Sequence, residues 1–168
     1  MRSIVLLLLA LAAPGLAQPA DPMPPSQARW DIKEMNGPRY LRATSDDGRG
    51  GGKLMFLCNQ TGQLVVMAML LDPAAENIAA ATGSVGFVLD GAVEPAGGQP
   101  QAIVMNQAVM SLFAVDSDRF RRMAAGQAAG IVWQGADGAR LAGFQIALAS
   151  GRARLASFAR QCSAQNYP

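Results

Sequence analysis

Residues 140–162 read RLAGFQIALASGRARLASFARQC and join a strand-like segment, 140–148, to a helical one, 151–162. Four side chains of the second segment share one helix face at i, i+3, i+4 and i+7: Leu155, Phe158, Ala159 and Cys162. That face has to pack on an apolar surface. Residues 54–58, LMFLC, are typical of a buried strand and contain the only other cysteine, Cys58. The two segments together predict a helix packed on a sheet, with most of the globular region between them.

The start of the chain has the features of an export signal. Arg2 precedes an apolar run, 4–13, that is too short to cross a bilayer, and small residues follow as far as Ala17. We expect residues 1–17 to be a signal peptide and residues 18–27, which contain four prolines, to be a flexible tail. Residues 28–168 then form one periplasmic or secreted domain, without a membrane span in the mature chain.

The charge balance limits the kinds of partner. The chain has 14 Lys and Arg residues against 12 Asp and Glu residues, and one of the arginines, Arg2, lies in the predicted signal peptide. The mature chain is therefore close to neutral. This argues against nucleic acid as a partner and against strong electrostatic binding to membranes.

Two cysteines in an exported chain are expected to form a disulfide, because the compartments outside the cytoplasm are oxidising. Cys58 and Cys162 would close a loop of 104 residues, for which loop-closure entropy gives about 4.7 kcal/mol of stabilisation. A redox-active pair is the alternative. It is disfavoured because the sequence has no C-x-x-C motif and Cys58 lies in an apolar run, where a thiolate is unfavourable.

The remaining patterns predict the fold class. Residues 53–71 form the clearest hairpin, and in its second half, 64–71, both faces are apolar, which indicates a central strand covered on both sides. Asp116 or Ser117 caps a short helix that ends at Gly126. We expect an α+β domain: an antiparallel sheet or sandwich of about seven to nine short strands with two flanking helices, closed by one disulfide.

The sequence offers little for catalysis. It contains no histidine, which removes the commonest general base and zinc ligand, and it has no nucleophile motif. The glycine-rich stretch 48–53 precedes a strand and lacks the spacing of a phosphate-binding loop. We therefore expect no enzymatic activity, no cofactor and no metal. Two alternatives stay open: a module that binds a small ligand or a metal, with Met67 and Met69 as copper(I) ligands, and an enzyme of unrecognised type.

Six arginines are candidate partner-binding residues. They occur on the two predicted helices: Arg119, Arg121 and Arg122 on the first, and Arg152, Arg154 and Arg160 on the second. Such residues could form a basic surface for an acidic partner. The alternative is an ordinary solvated helix face.

Residues 30–162, taken as a whole, resemble a known family. The order is a strand with Cys58, a hairpin, the segment 117–120 (SDRF), the segment 144–146 (FQI) and a helix that ends in Cys162, with Trp30 as an early tryptophan. This layout is similar to the VasI/TagO-like family of exported type VI secretion accessory proteins. The resemblance implies a non-enzymatic accessory or interaction domain, secretion-related, with another envelope protein as its partner.

Overall fold

The computed structural model describes residues 23–34, 39–45, 51–59, 62–97 and 101–164. The predicted signal peptide and the first part of the predicted tail lie outside the described residues. The strands are β1 (Ala28–Glu34), β2 (Arg39–Ser45), β3 (Gly52–Cys58), β4 (Leu64–Leu71), β5 (Ser84–Leu89), β6 (Ala92–Pro95), β7 (Ile103–Met105), β8 (Ala108–Ala114), β9 (Ala128–Gln134) and β10 (Arg140–Ala147). The helices are α1 (Ala75–Ala81), α2 (Ser117–Ala125) and α3 (Arg152–Ala164).

The strands form two antiparallel sheets. The larger has the order β1-β2-β3-β4-β8-β7 and the smaller the order β10-β9-β5-β6. Their inner faces share one core, in which the rings of Phe87 and Phe113 meet edge-on with centroids 5.6 Å apart. The indole Nε1 of Trp133 donates to Ser111 Oγ at 3.0 Å across the same interface. The α+β prediction is confirmed, as a sandwich with ten strands and three helices among the described residues.

The closing helix packs as its periodicity predicts. Leu155, Phe158 and Cys162 of α3 are all buried. The predicted disulfide joins Cys58, at the end of β3, to Cys162, with the two Cα atoms 5.5 Å apart. At the start of α3, a Cβ added to Gly151 would lie 1.9 Å from the Trp30 indole, so only glycine fits there. The disulfide and the Trp30 contact therefore fix both ends of α3.

Residues 23–27, the described part of the predicted flexible tail, differ from that prediction because they lie along β10. The backbone N–H of Ser26 donates to Gln145 O at 3.0 Å, and the N–H of Ala147 donates to Ser26 O at 2.8 Å. The side chain of Gln145 also donates to Met23 O at 2.6 Å. Proline cannot donate backbone hydrogen bonds, but Ser26 can, so one residue is enough to attach the segment to the sheet edge.

The prediction that β4 is covered on both sides is wrong. β4 is central, between β3 and β8, and Leu64, Val66 and Ala68 are buried in the core. The opposite face is only partly buried, and Leu71 is 40% exposed. Position in the sheet and cover on its outer face are separate properties, and the apolar sequence does not distinguish them. Among the described residues, no helix is both long enough and apolar enough to span a membrane.

Candidate functional site: an open apolar face

The outward side of the large sheet carries an almost continuous apolar surface. Successive side chains of a strand point to opposite faces, so the outward residues follow from the inward ones. We call this surface the outer apolar face and define it by nine residues: Met55, Val65, Met67, Met69, Leu71, Ile103, Met105, Met110 and Leu112.

The register of the sheet places these side chains in rows. Met55 on β3 lies opposite Met67 on β4, which lies opposite Leu112 on β8. In the next row, Met69 lies opposite Met110, which in turn lies opposite Ile103 on β7. Directly opposed residues in an antiparallel pair have Cβ atoms about 4.5–5.5 Å apart. The rows therefore bring residues from four strands into one surface.

Exposure is uneven across the outer apolar face and is highest on β7 and at Leu112. Met55 and Met110 are 8% and 4% exposed, whereas Leu112 is 49%, Met105 51% and Ile103 54% exposed. Single exposed apolar residues are common, but a contiguous group of them marks an interaction surface. Methionine suits such a surface because its flexible thioether side chain can adapt to different partners.

Charged residues bound the outer apolar face on the side of β1, β2 and β3. Arg42 lies opposite Met55, and Lys53 lies opposite Met69. The guanidinium of Arg42 donates to both carboxylate oxygens of Asp31, at 3.0 and 2.7 Å. These hydrogen bonds lower the pKa of Asp31. The apolar surface therefore has a polar border on one side and extends to the β7 edge on the other.

The arginines of α2 do not form a free basic surface. Arg119 is buried, although it was predicted to face outward. Its Nη1 and Nη2 donate to the carbonyl oxygens of Ala96 and Pro95 at 3.0 and 2.7 Å. Its Cζ lies 5.4 Å from the ring centroid of Phe87. Arg119 therefore connects α2 to the end of β6.

The two other α2 arginines are paired with carboxylates. Arg122 Nη2 donates to Glu94 Oε2 at 2.8 Å, and Arg122 Nη1 donates to the other oxygen of the same carboxylate. This bidentate contact lowers the pKa of Glu94 and raises the pKa of Arg122. Arg121 donates to Asp118 at 3.2 Å. Asp116 caps the helix by accepting from the backbone N–H of Arg119 at 2.7 Å, and that hydrogen bond lowers the pKa of Asp116.

Two of the α3 arginines donate to backbone carbonyl oxygens of segments that are distant in sequence. Arg152 Nη2 donates to Gly126 O at 2.5 Å, and Arg154 Nη1 donates to Trp30 O. Arg160 and Arg121 line one cleft of about 590 Å³ between α2 and α3. Of the six predicted arginines, Arg121 and Arg160 line this common cleft, and the other four lie outside its lining.

A second cleft, of about 580 Å³, lies over the smaller sheet. It is lined by Val93 and Val132 together with polar side chains that include Arg140 and Gln145. Gln145 is buried and fixed, because its Oε1 accepts from the N–H of Gly91 at 3.2 Å and its Nε2 donates to Met23 O. A mostly apolar cleft with a few oriented polar groups is typical of a small-molecule site.

The described part of the chain holds no group of three or more His, Cys, Asp or Glu side chains that could bind a metal ion. Met67 and Met69 do share the outer apolar face, with Met55 and Met110 as their cross-strand neighbours. Sequence reasoning found the methionines but missed Ile103, Met105 and Leu112. The sequence signal that could have identified these three residues is the presence of apolar residues on both faces of their strands.

Comparison of the chain with protein-family models, with curated proteins and with solved structures gives no match.

Proposed function

We propose that this chain is an exported, non-enzymatic accessory domain that binds another envelope protein through the outer apolar face. The observation that carries the proposal is the group of exposed apolar side chains on one face of β4, β8 and β7: Leu71, Leu112, Ile103 and Met105. The disulfide is compatible with an oxidising compartment. The resemblance to VasI/TagO-like accessory proteins supports a role related to secretion.

The size of the surface indicates how tightly it binds. Four of its side chains are between 40% and 54% exposed: Leu71, Ile103, Met105 and Leu112. Complete burial of such a side chain contributes about 1.5–3 kcal/mol, so four half-exposed ones supply roughly 3–6 kcal/mol. Association itself costs an estimated 4–15 kcal/mol. Apolar contact alone gives little net affinity, so the partner has to make polar contacts as well.

Site-specific photocrosslinking in intact producing cells tests the proposal. A photoreactive amino acid replaces Leu112 in one strain and Ile32 in another. Ile32 is the matched control, because it is 46% exposed and lies on β1, at the opposite edge of the same sheet. We expect one defined adduct with an envelope protein from position 112 and none from position 32.

A second pair of variants separates specific docking from nonspecific hydrophobic association. Met105→Glu places a charge on the outer apolar face and should abolish the adduct from position 112. Leu141→Glu is the control, because Leu141 is also exposed, at 38%, but lies on β10 of the smaller sheet. Equal adducts from positions 112 and 32, or an adduct that Met105→Glu leaves unchanged, would refute the proposed function.

The cleft over the smaller sheet supports one other function, binding of a small, mostly apolar ligand. Its oriented Gln145 amide and apolar walls carry this alternative. Native mass spectrometry of protein purified from its own periplasm tests it. A bound species of defined mass that is lost in Val132→Trp, which fills the cleft, would favour this function over partner binding.

A further inference from the structure

Three of the four sheet edges carry features that hinder the addition of another strand. An unpaired edge offers a row of free N–H and C=O groups to any other strand, so folded proteins usually cover or block it. At β10 the cover is the segment with Ser26, which pairs with Ile146. At β1 the carbonyl oxygen of Trp30 accepts from Arg154, and that of Ala28 accepts from Ser150 Oγ at 3.4 Å.

The third edge, β6, is blocked by its sequence and by α2. Its last residue, Pro95, has no N–H, and the carbonyl oxygen of Pro95 accepts from Arg119. Glu94 on the same strand carries a charge and is paired with Arg122. Charge and proline are two of the common devices that prevent strand addition.

The fourth edge, β7, has only three residues and lacks the covering strand, the charge and the proline found at the other edges. The segment 101–110 contains no charged residue and no proline, and Ile103, Val104 and Met105 are 54%, 38% and 51% exposed. Within the described ranges, no backbone hydrogen bond joins Val104 to a segment other than its own hairpin.

The geometry of the β7–β8 hairpin shows which groups are free. Its turn is Asn106 and Gln107, with φ of 50° and 60°, which is the two-residue type I′ connection. The residues that flank such a turn, Met105 and Ala108, form a hydrogen-bonded pair, and pairs then alternate along the ladder. Val104 and Val109 are therefore a non-hydrogen-bonded pair. The N–H and C=O of Val104 point away from β8, toward the open edge.

We propose that the partner binds as an extended strand that adds to β7, with main-chain hydrogen bonds to Val104 and side chains on the outer apolar face. This inference rests on the proposed function and specifies how it is carried out. Strand addition provides the polar contacts that the apolar surface alone lacks, since main-chain hydrogen bonds give affinity and alternate side chains give specificity. It also uses the edge that has no covering strand, charged residue or proline, directly beside the most exposed side chains.

The charge beside β7 indicates the occupant. Two acidic residues lie near this strand: the N–H of Asp72 donates to Gln107 O beside the turn, and Glu76 is exposed on α1, which contacts β7. An apolar strand with basic residues at its ends is complementary to this site. A second copy of the chain is a poorer occupant, because its own β7 segment, 101–110, carries no basic residue to pair with these acidic groups.

A synthetic peptide serves as the probe. It has nine residues, alternates valine with threonine, and carries a lysine and a fluorescent label at its ends. We expect saturable binding to the mature protein, measured by fluorescence anisotropy. The matched control peptide carries N-methyl groups on successive residues, so that neither of its edges can form a hydrogen-bonded ladder. Its affinity should be at least tenfold lower.

Two variants of one residue test the role of the edge. Val104→Pro removes the outward N–H and leaves the β7–β8 hydrogen bonds in place, since proline is tolerated on edge strands at such positions. We expect a loss of at least tenfold in peptide affinity. Val104→Ala keeps the N–H and should change the affinity by less than about threefold. Circular dichroism checks that both variants fold, and the N-methylated peptide remains a test if Val104→Pro does not.

The outcomes separate this inference from the proposed function. If Val104→Pro binds the peptide like the wild type, or if both peptides bind equally, strand addition to β7 is wrong. A crosslink from position 112 that persists in Val104→Pro leaves the docking face standing without strand addition. A crosslink to a second copy, together with a dimer in light scattering, would replace the proposed partner with the chain itself. Peptide binding without any cellular crosslink would refute the proposed function alone.

Discussion

Removal of the disulfide should lower the stability of the domain by several kcal/mol. The suitable variant is Cys58→Ser combined with Cys162→Ala, because Cys58 is half-buried and tolerates a hydroxyl group, whereas Cys162 is only 1% exposed. The bond joins residues 104 apart, and the loop-closure entropy for that length is about 4.7 kcal/mol at 25 °C. A loss of this size corresponds to a fall in Tm of about 10–20 °C, at 2–4 °C per kcal/mol for a domain of this size.

Thermal unfolding followed by circular dichroism under oxidising conditions measures this loss. Wild-type protein treated with a reductant is the control, because it has lost the same bond without a change in sequence and should unfold near the Tm of the variant. A fall in Tm below about 3 °C in the variant would refute the reasoning. It would show that residual structure in the unfolded chain already keeps Cys58 and Cys162 close together, so that the disulfide removes little entropy.

Three further predictions concern packing, a turn and pH. Phe158→Ala should lower the free energy of unfolding in urea by about 3–5 kcal/mol, because Phe158 lies on the buried face of α3. A loss below 1 kcal/mol would contradict that packing. Asp90→Ala should lower the free energy of unfolding by about 2 kcal/mol. Asp90 has φ of 50°, and its Oδ1 accepts from the backbone N–H of the residue before β9 and from that of the first residue of β9. Asp90→Asn should cost less than half as much, since it keeps an acceptor oxygen. Glu94 has a lowered pKa in the folded state, so its contribution to stability is complete above its ordinary pKa of 4.5 and is lost as the pH falls through the native pKa. Glu94→Gln should therefore lose less stability in acid than the wild type does. Identical acid-unfolding curves would count against the Arg122 contact.

The helix and disulfide framework could be predicted because it depends on local patterns. The spacing of Leu155, Phe158 and Cys162 defines one face of a helix whatever that face packs on, and Cys58 had one possible partner. Asp116 likewise caps α2 through its own next turn. These features depend on residues close together in sequence or, for the disulfide, on there being one possible pairing of the cysteines.

The site could not be predicted because it depends on the order of the strands. β4 is apolar on both faces, and the sequence does not show whether a helix covers the outer one. β8 lies between β7 and β4, a strand that is distant in sequence, and this order leaves β7 at the edge of the sheet. Arg119 fits a solvated helix face by spacing, yet the free carbonyl oxygens of Pro95 and Ala96 draw it into the interior. Each of these outcomes is decided by contacts between distant segments.

Amide hydrogen exchange along β7, measured by NMR, tests the central claim most directly. In the free protein, we predict fast exchange for the N–H of Val104 and slower exchange for those of Ile103 and Met105, which bond to β8. On addition of the valine–threonine peptide, exchange at Val104 should slow by at least tenfold, while residues of β1 stay unchanged. Protection of Val104 in the free protein, or exchange at Val104 that a saturating peptide leaves unchanged, would contradict the account of β7 as an open edge that accepts a strand.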